Sequence, residues 1–153
     1  MALHSSDPFS RMQLQNLLQS VKSLKENGTH KSLAQFGDSV TNLIYSYAKS
    51  VIIAQFTQRK VNRTVLSHAL KNAGMKKYAK TRSDAHALAD TTESFIGYMF
   101  CAEGWTLDQM SSQLWEKLSQ YDLHDYKEET KCAIEAFTYL LTNIHTYLLA
   151  KWV

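Results

Sequence analysis

Apolar residues recur three or four positions apart along most of the chain, which is the spacing of amphipathic helices. Alternation with a period of two, the pattern of a strand, does not extend over any useful length. Helices are predicted over 10–26, 31–56, 61–72, 85–102, 106–120 and 126–151. Ser83 or Asp84 can cap the helix at 85, and Thr106 or Asp108 can start the next one. The sequence therefore predicts an all-α fold.

The predicted helix 31–56 has two distinct sides when its residues are placed 100° apart. One face carries the apolar residues Phe36, Val40, Leu43, Ile44, Tyr47 and Val51. The roughly opposite side carries Asp38, Asn42, Tyr45 and Lys49. Asp38 therefore lies outside the predicted core stripe. The neighbouring Gly37 has no side chain, so another backbone or a ligand can come close beside Asp38.

A second acidic feature lies on the predicted helix 85–102. Asp90 and Glu93 are three residues apart, so their carboxylates project together. The residues that share their side are small: Ser94, Gly97 and Cys101. Such a pair suits a hard divalent cation held between close helices, although most acid pairs at this spacing are solvated or salt-bridged. His86, four residues before Asp90, is either a third ligand or, more simply, a polar residue of the first turn.

Composition is that of one globular domain. The chain has 153 residues, of which 44% are hydrophobic and 20% charged, and its single proline and five glycines favour long helices with short connections. Cys101 and Cys132 form no CxxC pair, so they are expected to be buried, reduced thiols of a cytoplasmic protein. Neither a signal peptide nor a membrane-spanning run is expected.

The net charge of +3 is unevenly distributed. Between residues 39 and 83 there is no acid, but there are nine basic residues: Lys49, Arg59, Lys60, Arg63, Lys71, Lys76, Lys77, Lys80 and Arg82. Residues 84–135 hold eleven acids and three bases. A segregated basic stretch favours a polyanionic partner such as a phosphate backbone, and a solvated face is the alternative.

The two acidic segments together resemble the ribonuclease III family. "LAQFGDSVTNLI" is similar to its signature helix, in which a Gly-Asp step opens an apolar helix. "ALADTTESFIGYMF" is similar to its second acidic helix, and the basic region between the two also matches. The resemblance covers roughly residues 10–120. The chain is therefore expected to form one catalytic domain over 1–153, a helical bundle with a loose start at 1–9.

The resemblance implies that Asp38, Asp90 and Glu93 are catalytic acids that bind Mg²⁺, with Mn²⁺ as a possible substitute. The family's fourth acid, a Glu four residues before the aspartate, is replaced here by Ala34. Compact Mini-III forms also lack that Glu, and archaeal single-domain relatives are similar through "KVNRTVLSHALKNAG". The resemblance further implies a homodimer in which the signature helices pair across a two-fold axis.

The implied activity is cleavage of double-stranded or structured RNA, leaving 5′-phosphate and 3′-hydroxyl ends. No separate RNA-binding domain is expected, so the catalytic domain must bind the duplex itself. The expected phosphate contacts are Lys60, Arg63, Lys76, Lys77, Lys80 and Arg82. Sequence preference should be weak, because A-form duplexes are recognised largely by shape. Two alternatives are an RNA-binding module that does not cut, and a helical phosphohydrolase with a deep closed pocket for small phosphates.

Overall fold

The computed structural model describes residues 9–152. Its α-helices are α1 (Arg11–Asn16), α2 (Leu24–Gly28), α3 (Lys31–Ile53), α4 (Arg63–Asn72), α5 (Ala85–Cys101), α6 (Leu107–Leu118) and α7 (Tyr126–Lys151). The basic connection before α5 contains one 3₁₀ turn, Lys76–Tyr78. No strand occurs within residues 9–152, so the predicted all-α fold is confirmed. The expected loose start falls almost entirely outside the described residues.

The single helix predicted over 10–26 is wrong. Two short helices, α1 and α2, are separated by a turn in which Leu18 and Val21 are buried. Ser23 begins α2: its Oγ accepts from the Glu26 backbone N–H at 3.1 Å and donates to the Glu26 carboxylate at 3.1 Å. Ser-x-x-Glu is the sequence pattern of a capping box, and it is a helix start signal inside the stretch that was predicted to be continuous.

Helix α5 lies at the centre of the bundle. From Leu88 to Cys101 it is buried on nearly every side, and Phe95, Ile96 and Met99 are fully enclosed. It packs against α3, α4, α2 and α7, while α6 and α7 pack on each other. A helix that is enclosed all round needs small or apolar residues on every face, and the small residues Ser94, Gly97 and Cys101 meet this requirement beside the acids.

The state of the two cysteines and the absence of a membrane-spanning run were also predicted from the sequence. Cys101 and Cys132 are buried and free, as predicted. Burial raises the pKa of both thiols, that of Cys132 to about 12. None of the helices in the described part of the chain combines the length and the apolarity needed to cross a bilayer.

Helices α3 and α5 approach each other backbone to backbone at two glycines. A Cβ added to Gly37 would lie 1.9 Å from the carbonyl oxygen of Glu93, so no side chain fits there. A Cβ added to Gly97 would lie 3.0 Å from the Cα of Gly37. The expectation that Gly37 admits another backbone is confirmed. The contact brings Asp38, the next residue on α3, alongside Glu93 of α5.

The apolar face predicted on α3 is only partly core. Val40 and Ile44 are buried, as expected. Four other members of that face are exposed by about half: Phe36, Leu43, Tyr47 and Val51. The core-facing side of α3 is therefore rotated relative to the prediction, and an apolar strip remains on the surface.

The rotation buries Tyr45 and Lys49, which were expected on the polar side. Both contact Glu129 of α7: its Oε2 accepts from the Tyr45 hydroxyl at 2.6 Å and from Lys49 Nζ at 2.9 Å. Burial and the hydrogen bond to Glu129 raise the pKa of the Tyr45 hydroxyl far above its ordinary value. A lysine is stable in the interior only when its charge is paired, and the partner here lies 80 residues further along the chain.

Removing one member of this pair should cost more stability than removing both. Glu129→Leu leaves the Lys49 ammonium buried without its partner, and we expect a loss of about 3–5 kcal/mol in the free energy of unfolding. Lys49→Met combined with Glu129→Leu should cost clearly less, because no unpaired charge remains. Urea unfolding of the two single variants and the double variant measures the difference. Additive losses would contradict a coupled buried pair.

Candidate active site

A cavity of about 640 Å³ opens between α3, α4, α5 and the segment that precedes α4. Asp38 of α3 and Asp90 and Glu93 of α5 all line it. Its other polar lining residues are Lys31, Gln35, Arg59, Lys60, Asn62, Arg63, His86 and Tyr126. Three acids predicted from two separate motifs thus share one cavity.

Asp38 and Glu93 are coupled electrostatically, and their pKa values shift in opposite directions. A hydrogen bond from Glu93 is the main cause that lowers the pKa of Asp38. Burial, followed by the hydrogen bond to Asp38 and the charge of Asp38, raises the pKa of Glu93 far above its usual range. The nearby charge of Asp90 acts in the same direction on Glu93, and Lys60 opposes it. These directions favour a protonated Glu93 beside a charged Asp38.

Asn42, one turn after Asp38, is a further polar contact of the site. Its Nδ2 donates to Asp38 Oδ1 at 3.2 Å, and its Oδ1 accepts from the Val61 backbone N–H at 2.8 Å. The sequence places Asn42 on the same side as Asp38, but Asn42 was not predicted as a site residue. The spacing of four residues between an acid and an amide is the only signal that points to this contact.

The three acids form no ready-made three-ligand cluster. Among residues 9–152, no three His, Cys, Asp or Glu side chains lie close enough together to hold a metal ion. Mg²⁺ is usually held by one or two carboxylates, with waters and substrate phosphates completing its shell. The Asp38–Glu93 pair, two carboxyl groups on facing helices, fits this requirement. Asp90 and the exposed His86 also line the cavity without completing a cluster.

Ala34 lies where the family's fourth acid would stand. It is buried, one turn before Asp38, and it lines the same cavity as the three acids. A longer side chain at this position would therefore point towards the acids rather than into the core. Gln35, the next residue, also lines the cavity but is exposed.

The predicted phosphate contacts fall into two groups. Lys60 and Arg63 are exposed and line the acidic cavity. The other four are exposed on the connection before α5 and do not line it: Lys76, Lys77, Lys80 and Arg82. Lys49, a member of the acid-free stretch, is unavailable to a ligand because it is buried against Glu129.

Arg59 and Tyr126 line the cavity near its basic side and were not predicted as site residues. The Arg59 guanidinium lies 5.3 Å from the centroid of the Tyr126 ring, and its Nε lies 3.8 Å from Glu129 Oε2. Tyr126 comes from the first turn of α7, more than 30 residues after Glu93. A search for motifs cannot connect Tyr126 with the acidic motifs, because it lies outside both of them in the sequence.

A comparison with protein families gives the same family that the two acidic motifs resemble. A family model described as Ribonuclease III matches residues 31–150. Because the match spans most of the chain, this protein belongs to the ribonuclease III family. The family acts on double-stranded RNA and generally uses divalent metal ions such as Mg²⁺, so the chain is a ribonuclease-type domain of the hydrolase class. No curated protein matches the chain.

Proposed function

We propose that this protein is a divalent-metal-dependent endoribonuclease that cuts double-stranded or structured RNA and leaves 5′-phosphate and 3′-hydroxyl ends. The observation that carries the proposal is one cavity lined both by Asp38, Asp90 and Glu93 and by the exposed bases Lys60 and Arg63. Acids alone would repel a phosphate, and bases alone would bind it without hydrolysis. The two together suit metal-assisted cleavage of a phosphodiester.

Each acid has a distinct role in this proposal. Asp38 and Glu93 would be direct ligands of Mg²⁺ or Mn²⁺, and Asp90 would bind directly or orient a water. Divalent-cation chemistry would supply an activated water and neutralise charge that develops on the phosphate. Among residues 9–152, those that line the cavity include no serine, threonine or cysteine. The arrangement therefore favours attack by water over attack by a protein nucleophile.

The basic residues would bind the duplex in two places. Lys60 and Arg63 would hold the phosphates nearest the acids. The four exposed bases of the connection before α5 would contact phosphates further along: Lys76, Lys77, Lys80 and Arg82. Binding through phosphates depends strongly on salt and little on sequence.

A homodimer is supported by the exposed apolar strip of α3. This strip borders a groove of about 510 Å³ that is lined mainly by apolar side chains, among them Leu43, Tyr47, Val51, Phe56 and Leu107. Phe56 is 98% exposed, which is unusual for a phenylalanine that has no partner. In a two-fold dimer each protomer would cut one strand of the duplex.

One alternative has support of its own. Ala34 replaces the fourth acid, and no three-ligand cluster is formed by the residues that the structure describes. A protein of this fold could therefore bind structured RNA without cutting it. A phosphohydrolase for small phosphates is distinguished by its substrate, since it would hydrolyse a phosphate monoester and leave an RNA duplex intact.

Glu93→Gln should separate cutting from binding. The substitution keeps the size of the side chain but removes a metal ligand, so cleavage of a generic duplex in Mg²⁺ should fall by at least about 100-fold. Duplex affinity should stay nearly unchanged because every basic residue remains. Gel assays of cleavage and fluorescence anisotropy of binding measure the two quantities.

Glu116→Gln on α6 is the matched control, because Glu116 does not line the cavity. It should cut like the wild type. Wild-type cutting by Glu93→Gln would refute the metal-site assignment. Tight duplex binding without any cutting by the wild type, in Mg²⁺ or Mn²⁺, would favour the binding module.

Ala34→Glu should lower the Mg²⁺ concentration that gives half-maximal cutting. A carboxylate there adds a ligand and a charge, and we expect a shift of roughly three- to tenfold. Gln35→Glu is the control, since it adds the same charge at the neighbouring, exposed position. Equal shifts in both variants would mean that the added negative charge, and not a new metal ligand, lowers the Mg²⁺ requirement. A folded Ala34→Glu variant with an unchanged metal requirement would mean that another group already fills the fourth position.

Leu43→Asp should convert the dimer to a monomer. Leu43 is half exposed, so a charge there costs the isolated protomer little but would be buried unpaired in an apolar interface. Light scattering at micromolar concentration gives the mass. Leu149→Asp, at a similarly exposed leucine of α7, should leave the mass unchanged. A wild-type protein that is monomeric under these conditions would exclude the two-protomer arrangement.

A further inference from the structure

After α3, the chain turns back along the same helix. Ala54 adopts the left-handed conformation with φ of 56°, and the Gln55 N–H donates to the Ser50 carbonyl at 3.1 Å. Residues 57–61 then return beside α3 towards Asp38 and reach α4 at Arg63. This returning segment carries Lys60, one of the exposed bases that line the acidic cavity.

Three polar side chains of α3 hold the returning segment. Ser50 Oγ accepts from the Thr57 N–H at 2.9 Å, Ser46 Oγ from the Arg59 N–H at 2.9 Å, and Asn42 Oδ1 from the Val61 N–H at 2.8 Å. The acceptors are four residues apart on the helix, so they lie in one row. The donors alternate along the segment, as they do in an extended strand. Side chains of α3 thus supply the hydrogen-bond acceptors that a neighbouring strand would supply in a sheet.

Alternation also determines where the side chains of the segment lie. Gln58 and Lys60 are exposed, whereas Val61 is buried. Lys60 influences both Asp38 and Glu93 electrostatically, so it lies close to the acid pair. The row of helix side chains therefore fixes the position of a base relative to the acids.

Asn42 is the last member of the row and differs from the two serines. A backbone N–H can only donate, so the Val61 N–H must face Oδ1 of the Asn42 amide. This fixes the amide orientation and directs Nδ2 at Asp38, which it reaches at 3.2 Å. Asp38 thus accepts a hydrogen bond from Asn42, which holds its carboxylate in one orientation.

We infer that Asn42 is a positioning residue that orients the Asp38 carboxylate for a cation and couples it to the segment that carries Lys60. The inference rests on the proposed metal site. Ser46 and Ser50 hold the segment but do not contact Asp38, so their loss should affect RNA binding and stability without affecting the cation. Asn42 contacts both the Asp38 carboxylate and the returning segment, so its loss should affect cation binding as well as RNA binding and stability.

The test compares Asn42→Ala with Ser50→Ala in the full chain. Mn²⁺ binding without RNA is measured by calorimetry, and kcat and KM for a generic duplex are measured over a range of Mg²⁺ concentrations. Asn42→Ala should weaken Mn²⁺ binding about three- to tenfold and raise the Mg²⁺ requirement for cutting by a similar factor. Ser50→Ala should bind Mn²⁺ like the wild type and change only KM and the melting temperature.

Asn42→Ser covers the case in which the alanine variant does not fold. A serine is too short to reach both Val61 and Asp38, so it should also weaken Mn²⁺ binding. Unchanged Mn²⁺ affinity in the folded Asn42 variants, or an equal loss in Ser50→Ala, would overturn the positioning role. A wild type that binds Mn²⁺ but cuts no RNA would overturn the proposed function alone, because the calorimetry still distinguishes Asn42 from Ser50.

Discussion

The backbone contact between α3 and α5 is the constraint on which the candidate site depends. Gly37 and Gly97 let the two helices approach until a single added Cβ would collide with a carbonyl oxygen. Asp38 and Glu93 come from segments more than 50 residues apart, and this approach brings their carboxyl groups side by side. The glycines contribute no chemistry themselves, yet they set the distance at which the chemistry is possible.

The same approach creates an electrostatic problem that the surrounding residues reduce. Two carboxyl groups side by side repel when both are charged, and a third acid stands close by. The hydrogen bond between the two carboxyl groups, the amide of Asn42 and the ammonium of Lys60 each lessen the repulsion. When no cation is bound, part of this repulsion remains. A divalent cation would therefore stabilise this site more than it would stabilise a site whose acids are already paired with arginine or lysine.

Local signals predicted much of this molecule, and contacts between distant segments account for what was missed. Five of the six predicted helices are present, because their apolar periodicity and caps are local properties. The break between α1 and α2 was missed although Ser23 and Glu26 signal it. The burial of Lys49 could not be predicted from α3 alone, because it depends on Glu129 of α7. The segment at Lys60 was likewise unpredictable, since its hydrogen bonds go to side chains of α3 and not to a regular element.

The pairing of Lys49 with Glu129 has a consequence for biosynthesis. A chain emerging from the ribosome carries Asp38, Asp90 and Glu93 well before it carries Glu129 and the rest of α7. Until then Lys49 has no buried partner, and α4 lacks the helix that packs against it. Because α7 follows the other described helices in the chain, the Lys49–Glu129 pair forms only when translation of this domain is nearly complete. Unfinished chains, held on a particle made largely of RNA, therefore carry the three acids before α3 has its ion pair with α7.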